Sequence, residues 1–438
     1  MKSFRIPIDD FLKDEKVEDA FMDASKGKRN RADVAEVLNN LEEHTKILQE
    51  MLYNGKFVPP VHEDVVINER NYQKERTIRK PDYKYEQVVH HVTVEGIKES
   101  IEHGMYDYVL GSVPGRAPHL GKKHIERWIR KDPTNTKYIF KMDIRHFFQS
   151  VDHDILKAWL RKKFRDQYLL DLLFLIIDAC NMGLALGYYT SQWLANFLLQ
   201  PLDHYIKEKL HAKYMTRYMD DVVCFGANKK ELHKMALAIQ TYLREELHLT
   251  MKANWQIFRF EYEVEEKVVI CDSIKNLYEL RDALIRERIK CRIKTDKKKR
   301  KLCIRKASLR KKEDAFDWYV RRFHGIVEER ISTYGRPLDY MGFEFHKNRT
   351  IMRKGIMIRA IRKATRIYKS ERICWKLAAS FLSSMGWFKH TDTYGVYLNR
   401  IKPYVSVKSM KKLVSKHQRR VNRENRMGNS GGLPANAA

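Results

Sequence analysis

The chain has 438 residues, 43% of them hydrophobic, which is enough to bury a core across two or three domains and excludes a disordered protein. Lysine and arginine number 85 against 56 aspartate and glutamate, a net charge of +29. Such a surplus points to a polyanionic partner, because each cation that meets a phosphate releases a counterion. No run of about 18 apolar residues and no lipidation signal is present, so no membrane partner is expected. The segment Met1–Asp10 lacks the apolar stretch of a signal peptide. The cysteines (Cys180, Cys224, Cys271, Cys291, Cys303, Cys374) form no C-x-x-C pair and no cluster with histidine. Neither a zinc site nor a disulfide framework is indicated, and a reduced, cytoplasmic protein is expected.

In chain order, residues 1–60 carry apolar positions at helical spacing, as in Val34, Val37, Leu38 and Leu41. Residues 65–80 turn strand-like, and 85–102 read as helix. The run 138–144 is short, apolar and ends at Asp143; a helix is expected from Val151, with Asp152 or Asp154 near its start. Residues 169–177 are densely apolar, and a single long helix is expected over 191–210. At 214–226 two β-rich runs flank Asp220 and Asp221, the pattern of a hairpin with acids at its tip. A helix over 230–248 and a strand over 255–262 follow. Strand, helix, helix, hairpin, helix, strand describes an α+β palm, an antiparallel sheet with helices on one face. The strongly basic block 263–335 reads as helix-compatible, 340–345 as strand, and 359–426 as helices with basic faces. Residues 428–438 read as a disordered tail.

Asp143 at a strand end and Asp220 with Asp221 at a hairpin tip form a set of hard oxygen ligands. Nucleotidyl transfer needs two divalent ions roughly 3.5–4 Å apart, and Mg²⁺ takes carboxylates of this kind. Three acids crowded together without a cation would raise one another's pKa, which favours a metal.

Tyr218-Met219-Asp220-Asp221 matches the Y-x-D-D box of reverse transcriptases. Asp143-Ile144-Arg145-His146-Phe147-Phe148-Gln149-Ser150 resembles that family's first catalytic motif, Gly183–Gln192 its nucleotide-binding loop, and Met341-Gly342-Phe343 its primer-grip turn. The resemblance covers most of 60–260 and 336–400 and implies a right-hand polymerase with fingers, palm and helical thumb. It places Asp143, Ile144, Asp220 and Asp221 as ligands of two Mg²⁺ ions, with Mn²⁺ as an alternative. It places Arg76, Arg79, Lys84, Phe148, Gly187, Gln192 and Met219 around the incoming dNTP, with Phe148 as the steric gate against a ribose 2′-hydroxyl. Lys252 falls where the family carries a lysine that protonates pyrophosphate. Arg116, Lys297, Lys298, Lys299, Arg300 and Lys301 are expected to meet nucleic acid.

Ala185 and Leu186 replace the Pro and Gln of the common family loop. The form Leu186-Gly187 with Ser191-Gln192, and the run Trp387–Thr393, resemble reverse transcriptases of diversity-generating retroelements. Val113 and Glu86 stand where basic residues are usual. The expected organisation is an N-terminal helical extension (1–60), fingers (61–137), palm (138–262), basic helical insertion (263–335), end of palm and primer grip (336–358), helical thumb (359–427) and tail (428–438). The expected activity is cDNA synthesis from a dedicated partner RNA, serving antiphage defence. The alternatives are mutagenic cDNA synthesis for a retroelement and a non-catalytic, maturase-like RNA-binding role. Expected partners are the RNA template, the cDNA, dNTPs, and an accessory protein or further copies of the chain.

Overall fold

The computed structural model describes residues 2–29, 31–62, 65–69, 74–296 and 299–429. It divides into two compact units, one of Met1–Ile257, Asp339–Phe345 and Arg349–Ala438, the other of Phe258–Leu338 and His346–Asn348.

In the first unit, helices α1 (Ile8–Phe11), α2 (Asp14–Ala24), α3 (Ala32–Asn39) and α4 (Leu41–Tyr53) bury Phe11, Val17, Phe21, Val34, Val37 and Leu48. Strands β1 (Val65–Glu69) and β2 (Lys74–Ile78) pair antiparallel, and a one-turn π-helix over Tyr83–Gln87 leads into α5 (Val88–Glu102). Then follow β3 (Val109–Leu110), α6 (Pro118–Lys131) and β4 (Tyr138–Asp143). Helix α7 (His153–Lys163) starts where expected, its first turn capped by the Asp152 carboxylate, which accepts from the amides of Asp154 and Ile155.

Helix α8 (Gln167–Asp178) is buried along one side, as its apolar density requires. The single helix expected over 191–210 is instead α9 (Tyr189–Leu198), α10 (Gln200–His204) and a π-turn over Tyr205–Lys209. Pro201 has no amide to donate, so the ladder restarts there. Strands β5 (Tyr214–Tyr218) and β6 (Asp221–Gly226), helix α11 (Lys229–Glu246) and β7 (Gln256–Arg259) complete a five-stranded sheet of order β3-β5-β6-β4-β7. β6 runs antiparallel to both of its neighbours, and β3 pairs with β5 in parallel. This is a largely antiparallel sheet in an α+β arrangement, as the order of elements in the sequence leads one to expect.

The second unit corrects the expectation of a helical insertion. Strands β8 (Tyr262–Cys271), β9 (Cys291–Asp296), β10 (Lys299–Arg305) and β11 (Gly325–Tyr334) form an antiparallel sheet of order β11-β8-β10-β9. Helices α12 (Ile274–Arg286) and α13 (Glu313–Arg322) pack on it around Val269, Leu280, Leu302, Ile304 and Phe316. Among the described residues Lys294, Lys299 and Lys301 lie on strands, and apolar and polar residues alternate along β9, as in Cys291-Arg292-Ile293-Lys294.

The chain returns to the first unit through β12 (Leu338–Tyr340), β13 (Phe343–Phe345) and β14 (Thr350–Met352). It ends in α14 (Lys354–Lys369), α15 (Trp375–Leu382), α16 (Met385–Lys389), α17 (Tyr394–Arg400) and α18 (Val407–Asn429), around a core that includes Ala364, Phe381, Phe388 and Ile401. Residues 430–438, most of the expected tail, lie outside the described residues. Among the described residues no helix is long and apolar enough to cross a membrane.

Candidate active site

The sheet register decides the geometry. Asp143, the last residue of β4, lies directly opposite Asp221, the first of β6. Asp220 precedes Asp221 in the two-residue turn that joins β5 to β6. A tight hairpin needs positive φ in its turn, and Met219 supplies it at +54°. Three carboxylates from two adjacent strand ends therefore converge, each half-buried.

Their electrostatics are those of a site made for cations. Burial, then the neighbouring charges of Asp143 and Asp221, pushes the Asp220 carboxyl up to about 6. Burial also raises Asp221, and the nearby cations Lys141, Lys252 and Arg353 partly offset that. Hard carboxylate oxygens that repel one another are the donor set Mg²⁺ takes, so these residues fit the divalent ions the sequence implies. Ile144 is fully buried and bridges antiparallel to Met251, and the only ligand atom it could offer is its main-chain carbonyl oxygen.

Lys252 reaches the site through the same bridge. Its amide donates to the Asp143 carbonyl at 2.9 Å, and its Nζ lies 2.6 Å from Asp143 Oδ1. The structure puts Lys252 against a candidate metal ligand.

The loop Gly183–Gln192 packs on the segment Asp143–Ser150. Phe148 sits half-buried in a 3₁₀ turn over Phe147–Ser150, edge-on to Phe147, and its carbonyl accepts the Leu184 amide at 2.7 Å. The Arg79 amide donates to the Leu186 carbonyl at 2.8 Å, while its Nη1 donates to the Ala179 carbonyl at 2.5 Å. Gly187 adopts φ +118°, and a Cβ there would stand 1.9 Å from the Arg79 carbonyl oxygen, so the close approach requires glycine. A cleft of about 320 Å³ opens between these segments, lined by Thr77, Arg79, Gln149, Met182, Ala185 and Leu186 among others.

Of the other expected dNTP contacts, Lys84 is exposed, with its Nζ 3.5 Å from Glu36, and Gln192 is exposed on the first turn of α9. Met219 is buried, and Arg76 lies on β2 opposite Ile67. Met341 and Gly342 turn with φ +51° and +84° between β12 and β13, and Phe343 packs against Trp387 with ring centroids 5.0 Å apart. Arg116 spends one guanidinium nitrogen on the Tyr106 carbonyl, at 2.8 Å. Lys299, Arg300 and Lys301 lie on β10 in the second unit, where Arg300 donates to Tyr278 Oη; Lys297 and Lys298 fall outside the described residues.

Sequence reasoning missed the frame behind the hairpin. Arg217 is fully buried; it makes a two-pronged ion pair with Asp203 at 2.6 and 2.8 Å and donates to Asn196 Oδ1 and the Met219 carbonyl. Tyr340 Oη donates to the Asp221 carbonyl at 3.0 Å, tying β12 to the catalytic strand. A signal existed: Arg217 occupies a core-facing position on a strand, and Asp203 follows the apolar run Phe197–Leu199 and Leu202.

Residues 78–259 match the family model described as reverse transcriptase (RNA-dependent DNA polymerase). Through these residues the chain is similar to the reverse-transcriptase family. Among curated proteins it is similar to the retron Ec73 reverse transcriptase of Escherichia coli, 30% identical over 139 residues, which is 29% of this chain. The chain spans 44% of that relative's length. Among solved structures it overlaps apo telomerase of Candida tropicalis truncated from its C-terminal domain, at TM-score 0.37 and 12% identity, covering 48% of this chain and 53% of that one. A telomerase of Candida tropicalis in complex with a fragment of telomeric RNA overlaps at TM-score 0.35 and 12% identity, covering 46% and 42%. The matched residues include Asp143, Asp220, Asp221 and the loop Gly183–Gln192, and end before the Met341–Phe343 turn.

Proposed function

We propose that this protein is an RNA-directed DNA polymerase that copies a dedicated partner RNA into cDNA by two-metal nucleotidyl transfer. The observation that carries this reading is the register of Asp143 against Asp221 with Asp220 in the adjoining turn. Asp143, Asp220 and Asp221 would hold two Mg²⁺ ions, which when bound supply activation of the primer hydroxyl and charge neutralisation at the leaving pyrophosphate.

The chain's own side chains do the rest. Arg79 and Gly187 shape the floor of the nucleotide cleft, and Lys84 offers its charge to the triphosphate. Phe148 fills the space beside the sugar where a 2′-hydroxyl would stand. Lys252 is placed to give a proton to the departing pyrophosphate, with Asp143 orienting its ammonium. The Met341–Phe343 turn, tied to Asp221 through Tyr340, holds the primer end. The surplus of basic residues and the strongly basic second unit offer surface for a structured RNA, in keeping with a role in antiphage defence.

The test is to sequence RNA that copurifies with the protein and return it as template with Mg²⁺ and dNTPs. Template-length DNA is expected. Tight binding of that RNA with no DNA made, on it or on generic primed templates, would replace this reading with a non-catalytic RNA-binding one.

A further inference from the structure

A second set of ligand-type side chains lies beneath the nucleotide-binding loop. His62, just before β1, places Nε2 2.5 Å from Glu86 Oε2, and Glu86 Oε2 also accepts the Asp82 amide at 2.9 Å. One ligand atom from each of His62, Asp82 and Glu86 falls within 4.8 Å of the others. Glu86 is only 2% exposed, yet its second oxygen, Oε1, has no hydrogen-bond partner. An ion pair with His62 accounts for Oε2, and Oε1 has no hydrogen bond of good geometry, a costly state for a buried carboxylate.

Two further buried polar groups lie alongside. Tyr188, which follows Gly187, is buried beside Glu86, and burial first, then the Glu86 charge and a hydrogen bond with it, raise its pKa. His90 stacks on the Tyr188 ring with centroids 4.3 Å apart. Its Nδ1 meets Thr190 Oγ1 at 2.9 Å while Nε2 has no partner, and burial holds the ring neutral, with its pKa down at about 3. The turn that carries Asp82 and Glu86 is strained, with Tyr85 at φ +67°.

We propose that His62, Asp82 and Glu86 bind one divalent transition-metal ion of the Zn²⁺ class, separate from the ions at Asp143, Asp220 and Asp221. An imidazole nitrogen with two carboxylates suits zinc and its neighbours, whereas Mg²⁺ and Ca²⁺ take oxygen throughout. No cysteine is involved, so the site is absent from any C-x-x-C pattern and arises only when His62 meets the turn that carries Asp82 and Glu86. Asp82 is exposed, which leaves the ion's remaining position open to water and to exchange. The ion would clamp the entry to β1 and the strained turn between Arg79 and α5, fixing the segment that carries Lys84. Its role is structural, and its binding free energy adds to folding free energy.

The test reads metal content, so it does not depend on polymerase activity. Full-length protein stripped with chelator is incubated with Zn²⁺ in excess Mg²⁺, desalted, and assayed by mass spectrometry and thermal melting. Wild type should retain one Zn²⁺ per chain and melt higher with it. His62→Ala and Glu86→Gln should lose both effects. Asp82→Asn, at an exposed position that spares the core, should bind more weakly by about tenfold or more. Asp220→Asn with Asp221→Asn should keep the ion. Retention of no Zn²⁺ by wild type, or of a full equivalent by Asp82→Asn and His62→Ala, overturns the proposal.

Discussion

Arg217 holds the turn between β5 and β6 from behind: its Nη1 donates to the Met219 carbonyl at 3.0 Å, one residue before Asp220. Met219 sits at φ +54°, a conformation an unbranched side chain tolerates only where its surroundings impose it. Arg217 and Asp203 are both buried, so removing one strands the other's charge. Arg217→Met should destabilise the fold by about 3–5 kcal/mol in urea titration. Replacing both, with Asp203→Leu, should recover much of that loss without restoring activity. A stable single variant with full activity would show that the hairpin needs no such frame.

Lys252 and Asp143 form a 2.6 Å ion pair, so the ammonium competes with any cation for the same carboxylate. Lys252→Met should bind Mg²⁺ at lower concentration yet slow nucleotide incorporation by roughly 10²-fold or more, the usual worth of a positioned acid. Incorporation rates over an Mg²⁺ titration separate the two effects. An unchanged rate would return Lys252 to the status of a salt-bridging surface residue.

Asp220, with its carboxyl pushed up to about 6, holds a proton in the native state that the unfolded chain has already released at that pH. Between its ordinary pKa of 3.8 and about 6, metal-free stability therefore falls as pH rises, and the loss is complete above that window. Asp220→Asn should melt a few degrees above metal-free wild type near neutral pH, at roughly 2–4 °C per kcal/mol, and match it near pH 4. Mg²⁺ should raise the wild-type melting temperature much more than the variant's. Melting curves across pH, with and without Mg²⁺, check both.

Gly187 has no room for a methyl group, since the obstacle is the Arg79 carbonyl rather than a movable side chain. Gly187→Ala should force the loop away from Arg79 at a cost of about 1–3 kcal/mol. The expected result is a raised KM for dNTP, with little change in affinity for a primed template.

Phe148 stands half-buried beside that loop. Phe148→Ala should widen acceptance of rNTPs by roughly tenfold or more relative to dNTPs, read as the ratio of kcat/KM values. An unaltered ratio would leave Phe148 as a packing partner of Phe147.

The palm and its three carboxylates were legible in the sequence because each rests on a short-range pattern. An apolar run ending at Asp143, and two β-rich runs around Asp220 and Asp221, suffice to build adjacent strand ends. The second unit is hard to read from sequence because its dense lysines and arginines suit a helix as well as a strand, and only the short alternation along Cys291–Thr295 marks the strand. Arg217–Asp203, Tyr340–Asp221 and His62–Glu86 were invisible for another reason. Their partners stand 14, 119 and 24 residues apart, and no local period reports such a pairing. Glu86 was noticed only as an acid where a base is usual.

The most direct test of the central claim is primer extension on a generic RNA template with Mg²⁺ and dNTPs, comparing wild type with Asp220→Ala/Asp221→Ala. The account predicts extended DNA from wild type and none from the variant, with template binding unchanged. Extension by the variant at a comparable rate would contradict it.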